Sequence, residues 1–339
     1  MKLRLSAQIA VAMLLAAIPM LCASNDLLIG RLTSIQGLGK ALFFDAALSR
    51  NTDVSCANCH QPKHAFSDGR PVAIGTGHQT GTRNTPSLLA LGSGPFFWDG
   101  RTEQLEQVMA QPFTNTAEMG LASQDELLGH LRKNPSYISA FSKAFPESSL
   151  PITIEHLQQA LAAYVRTLDN GTNAYDRFAA NQNALSAEAK HGLTLFRGSA
   201  GCAECHRIEG NRASFTDNAF HSTQINEKLA PMLPAIAVQL SQSSPDILNL
   251  GILIESDAKV SELGRYVVTH DPKDIGAFRT PSLRNVALTA PYMHDGSATT
   301  LREAVDREIY YRNLQNNRPN TLTEQDRRDL VTFLHALND

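Results

Sequence analysis

Apolar residues recur at helical spacing in the middle and at the end of the chain. Ile154, Leu157, Leu161, Val165 and Leu168 share one face, and Gly171 closes that run. Ser123-x-x-Glu126 has the form of a capping box opening a second amphipathic stretch. Thr323-x-x-Asp326 does the same before Leu330, Val331, Phe333, Leu334 and Leu337. These stripes predict core-facing helices. Short pieces such as Tyr266-Val267-Val268 read as extended but are too few for a sheet-based fold, so the predicted class is mainly α. The N-terminus follows another pattern. Lys2 and Arg4 precede an apolar run from Ile9 to Leu21, and Leu21-Cys22-Ala23 forms a cleavage site before Ser24. Residues 1–23 therefore read as a signal peptide, since about thirteen apolar residues fall short of a bilayer span. Export to a bacterial periplasm is the expectation. Lipidation of Cys22 is disfavoured because Leu21, not a small residue, precedes it.

An internal repeat organises the rest. Ala65-Phe66-Ser67-Asp68, Arg83-Asn84-Thr85-Pro86-Ser87-Leu88 and Phe97-Trp98-Asp99-Gly100 occur in that order. Ser214-Phe215-Thr216-Asp217, Arg279-Thr280-Pro281-Ser282-Leu283 and Met293-His294-Asp295-Gly296 follow in the same order. Duplication of one unit explains this, with an insertion at roughly 222–264 enlarging the second copy. The expected domains are 24–180 and 181–339.

Composition narrows the class without changing that picture. The chain has 339 residues, is 42% hydrophobic and 19% charged, and carries a net charge of −3. That excludes intrinsic disorder and supplies enough apolar material for two cores. No Lys/Arg block tracks a polyanion, so nucleic acid and anionic membrane surfaces are not expected partners.

Five cysteines are present, and Cys22 would leave with the signal. The other four form Cys56-Ala57-Asn58-Cys59-His60 and Cys202-Ala203-Glu204-Cys205-His206. Disulfides are the default in an oxidising compartment, but C-x-x-C-H is the attachment motif of haem c. Two thiols three positions apart reach the two vinyl groups of one haem, and the adjacent imidazole faces the iron. Two covalently bound haems c are expected, with Cys56, Cys59 and His60 on one and Cys202, Cys205 and His206 on the other. A zinc site drawing thiolates from both motifs, or a thioredoxin-like redox pair, is the competing reading.

The mature chain resembles the bacterial di-haem cytochrome c peroxidases of the broader MauG-type family. The resemblance is carried by Leu42-Phe43-Phe44-Asp45-x-x-Leu48-Ser49, both haem motifs, Ala65-Phe66-x-Asp68-Gly69, Arg83-Asn84-x-Pro86, Phe97-Trp98-Asp99-Gly100-Arg101, Glu118-Met119 and Thr289-x-Pro291-Tyr292-Met293-His294-Asp295-Gly296. It implies two cytochrome c-like lobes, a peroxidatic haem in the first and an electron-relay haem in the second. It also implies Trp98 as relay between them, and an interlobe Ca2+ at positions matching Asn84, Thr289 and Pro291. Glu118, six positions after Pro112, matches the family's acid-base residue above the peroxidatic haem. The implied reaction reduces hydrogen peroxide to water, with a small periplasmic cytochrome c or cupredoxin as donor. A MauG-type oxidase acting on aromatic side chains of a partner protein and a non-enzymatic di-haem electron carrier are the alternatives. A homodimer is compatible with all three.

Two departures from the family pattern matter. Aligned on Ile74-Gly75-x-Gly77, the position of the histidine that blocks the peroxidatic iron in classical members is Thr76. An iron open without reductive activation is therefore expected, with His78 or His64 as substitute ligands if it is not. A family glutamine four residues before Pro112 is replaced by Val108, next to Gln107. The usual sixth-ligand position of the second haem falls on Glu308, leaving Tyr310, Tyr311 and Met293 as neighbouring options.

Overall fold

The computed structural model describes residues 29–339 except 93, 169–170, 211, 223–229, 243–245, 318 and 320. The expected signal peptide and Cys22 lie outside the described residues. Helices α1 (Ile35–Phe44), α2 (Cys56–Cys59), α3 (Leu105–Met109), α4 (Gln111–Thr114), α5 (Gln124–Lys133), α6 (Pro135–Ala144) and α7 (Ile154–Val165) build the first lobe. Then come α8 (Ala174–Ala179), α9 (Ala187–Arg197), α10 (Leu233–Ser241), α11 (Ile247–Ser256), α12 (Ala258–Ser261), α13 (Tyr266–Thr269), α14 (Leu301–Gln315) and α15 (Glu324–His335). Regular strand among the described residues is confined to β1 (Phe220–His221) and β2 (Phe278–Arg279), paired antiparallel with Phe220 opposite Arg279. The fold is mainly α.

The capping signals fall where they act. Ser123 Oγ accepts from the Glu126 amide at the start of α5, and Thr323 with Asp326 forms a complete capping box on α15. The same helix crossing then builds each lobe. In the first, α1 lies across α7, and a Cβ on Gly39 would come within 1.8 Å of the Ala160 carbonyl oxygen. In the second, α9 lies across α15, and a Cβ on Gly192 would come within 2.0 Å of the Asp329 carbonyl oxygen. Only glycine lets these backbones approach so closely. Gly39-x-x-Leu42-Phe43 and Gly192-x-x-Leu195-Phe196 are thus a further repeat that sequence reading passed over. The two phenylalanines are buried in the cores of their lobes.

Three apolar cores result. The first runs from Leu38 to Val165 and the second from Tyr175 to Leu337. Tyr175 on α8 is buried in the second, so the change of core precedes Ala174 rather than following residue 180. The third is made by the insertion and the residues just after it, from Leu233, Leu240, Leu250, Ile254, Val260, Leu263, Tyr266 and Val267. Here the extended reading of Tyr266-Val267-Val268 is corrected. The segment is helical, because burying Tyr266 and Val267 in this core overrides the strand preference of the valines.

The insertion packs on the first lobe although it lies within the second repeat. Thr82 Oγ1 donates to the Ile254 carbonyl (2.7 Å), Arg83 Nε to Ser261 Oγ (3.0 Å) and Arg265 Nη1 to the Gly100 carbonyl (2.7 Å). No helix among the described residues is long and apolar enough to cross a membrane.

Candidate functional site

Each Cys-x-x-Cys-His segment is a tight turn followed by a loop that folds back over the histidine. His60 Nδ1 is 2.9 Å from the Phe66 carbonyl oxygen, and His206 Nδ1 is 2.9 Å from that of Phe215. A carbonyl can only accept, so both imidazoles carry the proton on Nδ1 and keep a lone pair on Nε2. Burial lowers the pKa of both, which maintains the neutral form a metal requires. Phe66 and Phe215 have positive φ (59° and 55°), which turns their carbonyls onto the rings.

Side-chain hydroxyls tie each loop to its downstream landmark. Ser67 donates to the Thr85 carbonyl (2.8 Å) and Thr216 to that of Thr280 (2.6 Å). Ser87 donates to the Ala65 carbonyl (2.6 Å) and Ser282 to that of Ser214 (2.6 Å). The repeat seen in sequence is therefore a repeat of hydrogen bonds.

The four cysteines are free thiols. Burial pushes Cys56, Cys59 and Cys202 up to about 12 and raises Cys205, and among the described residues no cluster of metal-ligating groups joins the two motifs as a shared zinc site would require. In the second lobe Cys202, Cys205 and His206 open into a cavity of about 570 Å³ walled by Phe196, Val286, Leu301, Ile309 and Leu334. Neutral thiols, a ligand-competent imidazole and a mainly apolar cavity of this size fit a covalently held haem.

Of the four sixth-ligand options, Met293 and Glu308 line that cavity. Tyr310 and Tyr311 line a separate surface groove, with Tyr310 58% exposed. Asn84, Thr289 and Pro291, far apart in sequence, converge on the cavity wall together with Trp98. Asn84 Nδ2 is committed to the carbonyls of Arg70 (2.8 Å) and Pro71 (3.3 Å), which turns its Oδ1 away from them.

The loops carrying Trp98 and His294 are exchanged across the interface. The Trp98 carbonyl accepts from the Arg279 amide (2.8 Å), and its indole N–H donates to the Asn84 carbonyl (2.9 Å). The His294 carbonyl accepts from the Asn84 amide (2.8 Å), while a Cβ on Gly296 would strike Pro71 at 2.3 Å. His294 occupies the repeat position of Trp98. It is buried, stacked on Phe278 with ring centroids 3.7 Å apart, and 3.1 Å from Glu262 Oε1.

Glu118 sits in a turn that Asn115 organises. Asn115 Oδ1 accepts from the Ala117 amide (3.0 Å), its Nδ2 donates to Glu118 Oε1 (2.8 Å), and its carbonyl accepts from the Glu118 (3.0 Å) and Gly120 (2.9 Å) amides. Burial, then the Glu255 carboxylate, pushes the Glu118 carboxyl up to about 7 against the pull of Arg101 and Asn115. The Cys56 and Cys59 thiols feel the Glu118 charge, so the carboxyl lies within electrostatic range of the first motif.

Arg101 is fixed in turn. Its Nη1 meets Asp99 Oδ2 at 2.7 Å, its Nε donates to Gln111 Oε1 at 3.2 Å, and Arg83 meets the same Asp99 at 2.5 Å. Burial opposes the charge on Asp99, but the two guanidiniums prevail and hold it below the usual carboxylate range. Asn115, Arg101 and Glu255 were missed in the sequence. Asn115, three residues before Glu118, offered a turn signal; Glu255, in the insertion, offered none.

A chain with two such lobes and a carboxyl of raised pKa beside one motif has the build of a two-haem oxidoreductase. Residues 34–184 match the family model described as di-haem cytochrome c peroxidase. The chain is 36% identical over 307 residues to the methylamine utilization protein MauG of Methylorubrum extorquens, covering 88% of this chain and 77% of that one. It is 33% identical over 308 residues to the cytochrome c551 peroxidase of Pseudomonas aeruginosa, covering 89% and 78%. Among solved structures, a MauG-like protein associated with microbial copper homeostasis superposes with a TM-score of 0.69 at 29% identity, covering 91% of each chain. The chain belongs to the di-haem cytochrome c peroxidase/MauG family.

Proposed function

We propose that the chain is an exported peroxidase that reduces hydrogen peroxide to water, with electrons from a small periplasmic cytochrome c or cupredoxin. The observation that carries this reading is Glu118, a carboxyl pushed up to about 7 beside the Cys56–His60 motif. A group with that pKa is available as base and as acid at neutral pH. Cys56, Cys59 and His60 would hold one haem and Cys202, Cys205 and His206 the other, and these would supply the redox chemistry for a two-electron reduction. Glu118 accepts a proton from the incoming peroxide and returns it to the departing oxygen, which leaves as water. Two electrons and two protons per peroxide complete the balance. Asn115 holds the Glu118 carboxyl in place, and Arg101 supplies positive charge nearby.

Trp98 is the relay in this reading, since its hydrogen bonds join Asn84 of the first lobe to Arg279 of the second. Asn84, Thr289 and Pro291 offer oxygens to an interlobe Ca2+. Met293 and Glu308 line the second-lobe cavity and would be the candidate further ligands of a haem held there.

A second reading, oxidation of aromatic side chains on a partner protein, is favoured by Thr76, which cannot ligate iron. Steady-state peroxide turnover with reduced cytochrome c tests the first. Turnover on the scale of seconds supports it. Failure to oxidise the cytochrome, with cyanide still binding the oxidised protein, favours the second. Two low-spin haems that bind no cyanide in either the oxidised or the half-reduced protein overturn both in favour of an electron carrier.

A further inference from the structure

Thr76, which stands where classical relatives carry the blocking histidine, has a definite set of partners. Its Oγ1 donates to Asp53 Oδ1 at 2.6 Å, and the next amide, of Gly77, donates to Asp53 Oδ2 at 2.9 Å. Its own amide donates to the Glu118 carbonyl at 2.7 Å. Thr76 is 3% exposed, whereas Asp53 lies at the surface. The loop is pressed against the turn that bears the acid-base group. A Cβ on Gly75 would come within 2.2 Å of the Ala117 oxygen and 2.4 Å of the Glu118 oxygen. One on Gly120 would meet the Thr76 methyl at 2.8 Å. Asp53 is anchored too, since its amide donates to Ser49 Oγ (3.1 Å), and the adjoining Arg50 amide donates to the Met119 carbonyl (2.9 Å).

We infer that Asp53 and Thr76 form a clasp that positions Glu118, holding its turn through the Glu118 carbonyl while Asn115 holds it through the Glu118 amide. This deepens the proposed function and rests on Glu118 as the proton-transfer group. The bonds to Thr76 and Gly77 hold the Asp53 carboxyl below its usual range, so the clasp is charged across neutral pH. Neither residue touches the reacting atoms; both act through the Glu118 backbone. Gly75 serves this close approach. A side chain at 76 that lacks a hydroxyl gives up the bond to Asp53 but keeps the fold of the loop.

The test is amide hydrogen exchange and kinetics on the haem-loaded protein. Thr76→Val and Asp53→Ala should each speed exchange about tenfold in segments 74–80 and 115–120, and leave α1 and α7 unchanged. They should lower kcat about tenfold with KM for peroxide retained, because a small displacement of a catalytic group costs up to about a hundredfold. Thr76→Ser, which keeps the hydroxyl, should restore both readouts. In a Glu118→Gln background the two variants should cost no further rate. Unchanged exchange at 115–120 in both variants would overturn the clasp whatever the rates. Faster exchange there, with a fully active Glu118→Gln, would instead keep the clasp as structure and overturn Glu118 as its catalytic object.

Discussion

In the first lobe His60 donates to Phe66 across 2.9 Å, and in the second His206 donates to Phe215 across 2.9 Å. Both lobes rest on a helix crossing closed by a glycine, Gly39 on α7 and Gly192 on α15. What faces the motif differs. The first lobe brings a carboxyl raised to about 7, ringed by Asn115, Arg101 and, from the insertion, Glu255. The second places α14 over its cavity, with Glu308 and Arg312 on the wall and Met293 alongside. Duplication supplied two equivalent holders. In the proposed function the lobes divide their work on the open sides, where the backbone of the motif imposes nothing.

The comparison breaks most sharply if the holders are not equivalent. Replacing both Cys202 and Cys205 with alanine should cut covalently bound haem from two per chain to one, read by pyridine haemochrome after acid-acetone extraction. The Cys56/Cys59 pair should give the same result, and zinc in place of haem would end the equivalence.

Next in size is the asymmetry of the open sides. Glu118→Gln should slow peroxide turnover by about 10²- to 10⁴-fold, the range of general acid-base catalysis. Glu308→Gln should leave turnover within the same order of magnitude. Equal losses would mean that the lobes do not divide the work.

The shared helix crossing should then respond alike to overpacking. Gly39→Ala and Gly192→Ala put a methyl within 1.8 Å and 2.0 Å of a carbonyl oxygen, and each should cost about 1–3 kcal/mol in thermal or denaturant unfolding. A loss at only one site would show that one crossing can relax.

The smallest test sharpens the role of Glu118 alone. The free enzyme must hold it deprotonated to accept the proton of peroxide. A group near 7 then makes kcat/KM rise with pH up to about 7 and fall about tenfold per unit below it. Glu118→Gln should flatten that limb, and a limb surviving the substitution would assign it to another group.

Much of this was legible in the residue order, because local chemistry dictates it. Cys-x-x-Cys-His spacing is set by the geometry of two thiols and one imidazole, capping boxes by the orphan amides of a helix start, and the repeat by covalent order itself. The mainly α class followed from these, while Glu118 and Trp98 were singled out only by the resemblance to the family. Residue order misread Tyr266-Val267-Val268, since β-branched preference is weaker than burial in a core that only the folded insertion creates.

It contained Arg101 in a family motif and a turn signal at Asn115 but tied neither to Glu118, and it gave no sign of Glu255. Glu255 comes to Glu118 from the insertion, 137 positions away in sequence, and Asp53 reaches Thr76 across 23 positions. Proximity of that kind follows from backbones packing around glycines at 39, 75, 120 and 192, and electrostatics acts through space, not along the chain. The sequence determined which groups could do the chemistry. Only the tertiary structure decided which carboxyl is buried, which histidine nitrogen stays free and which loop holds the acid-base turn in place.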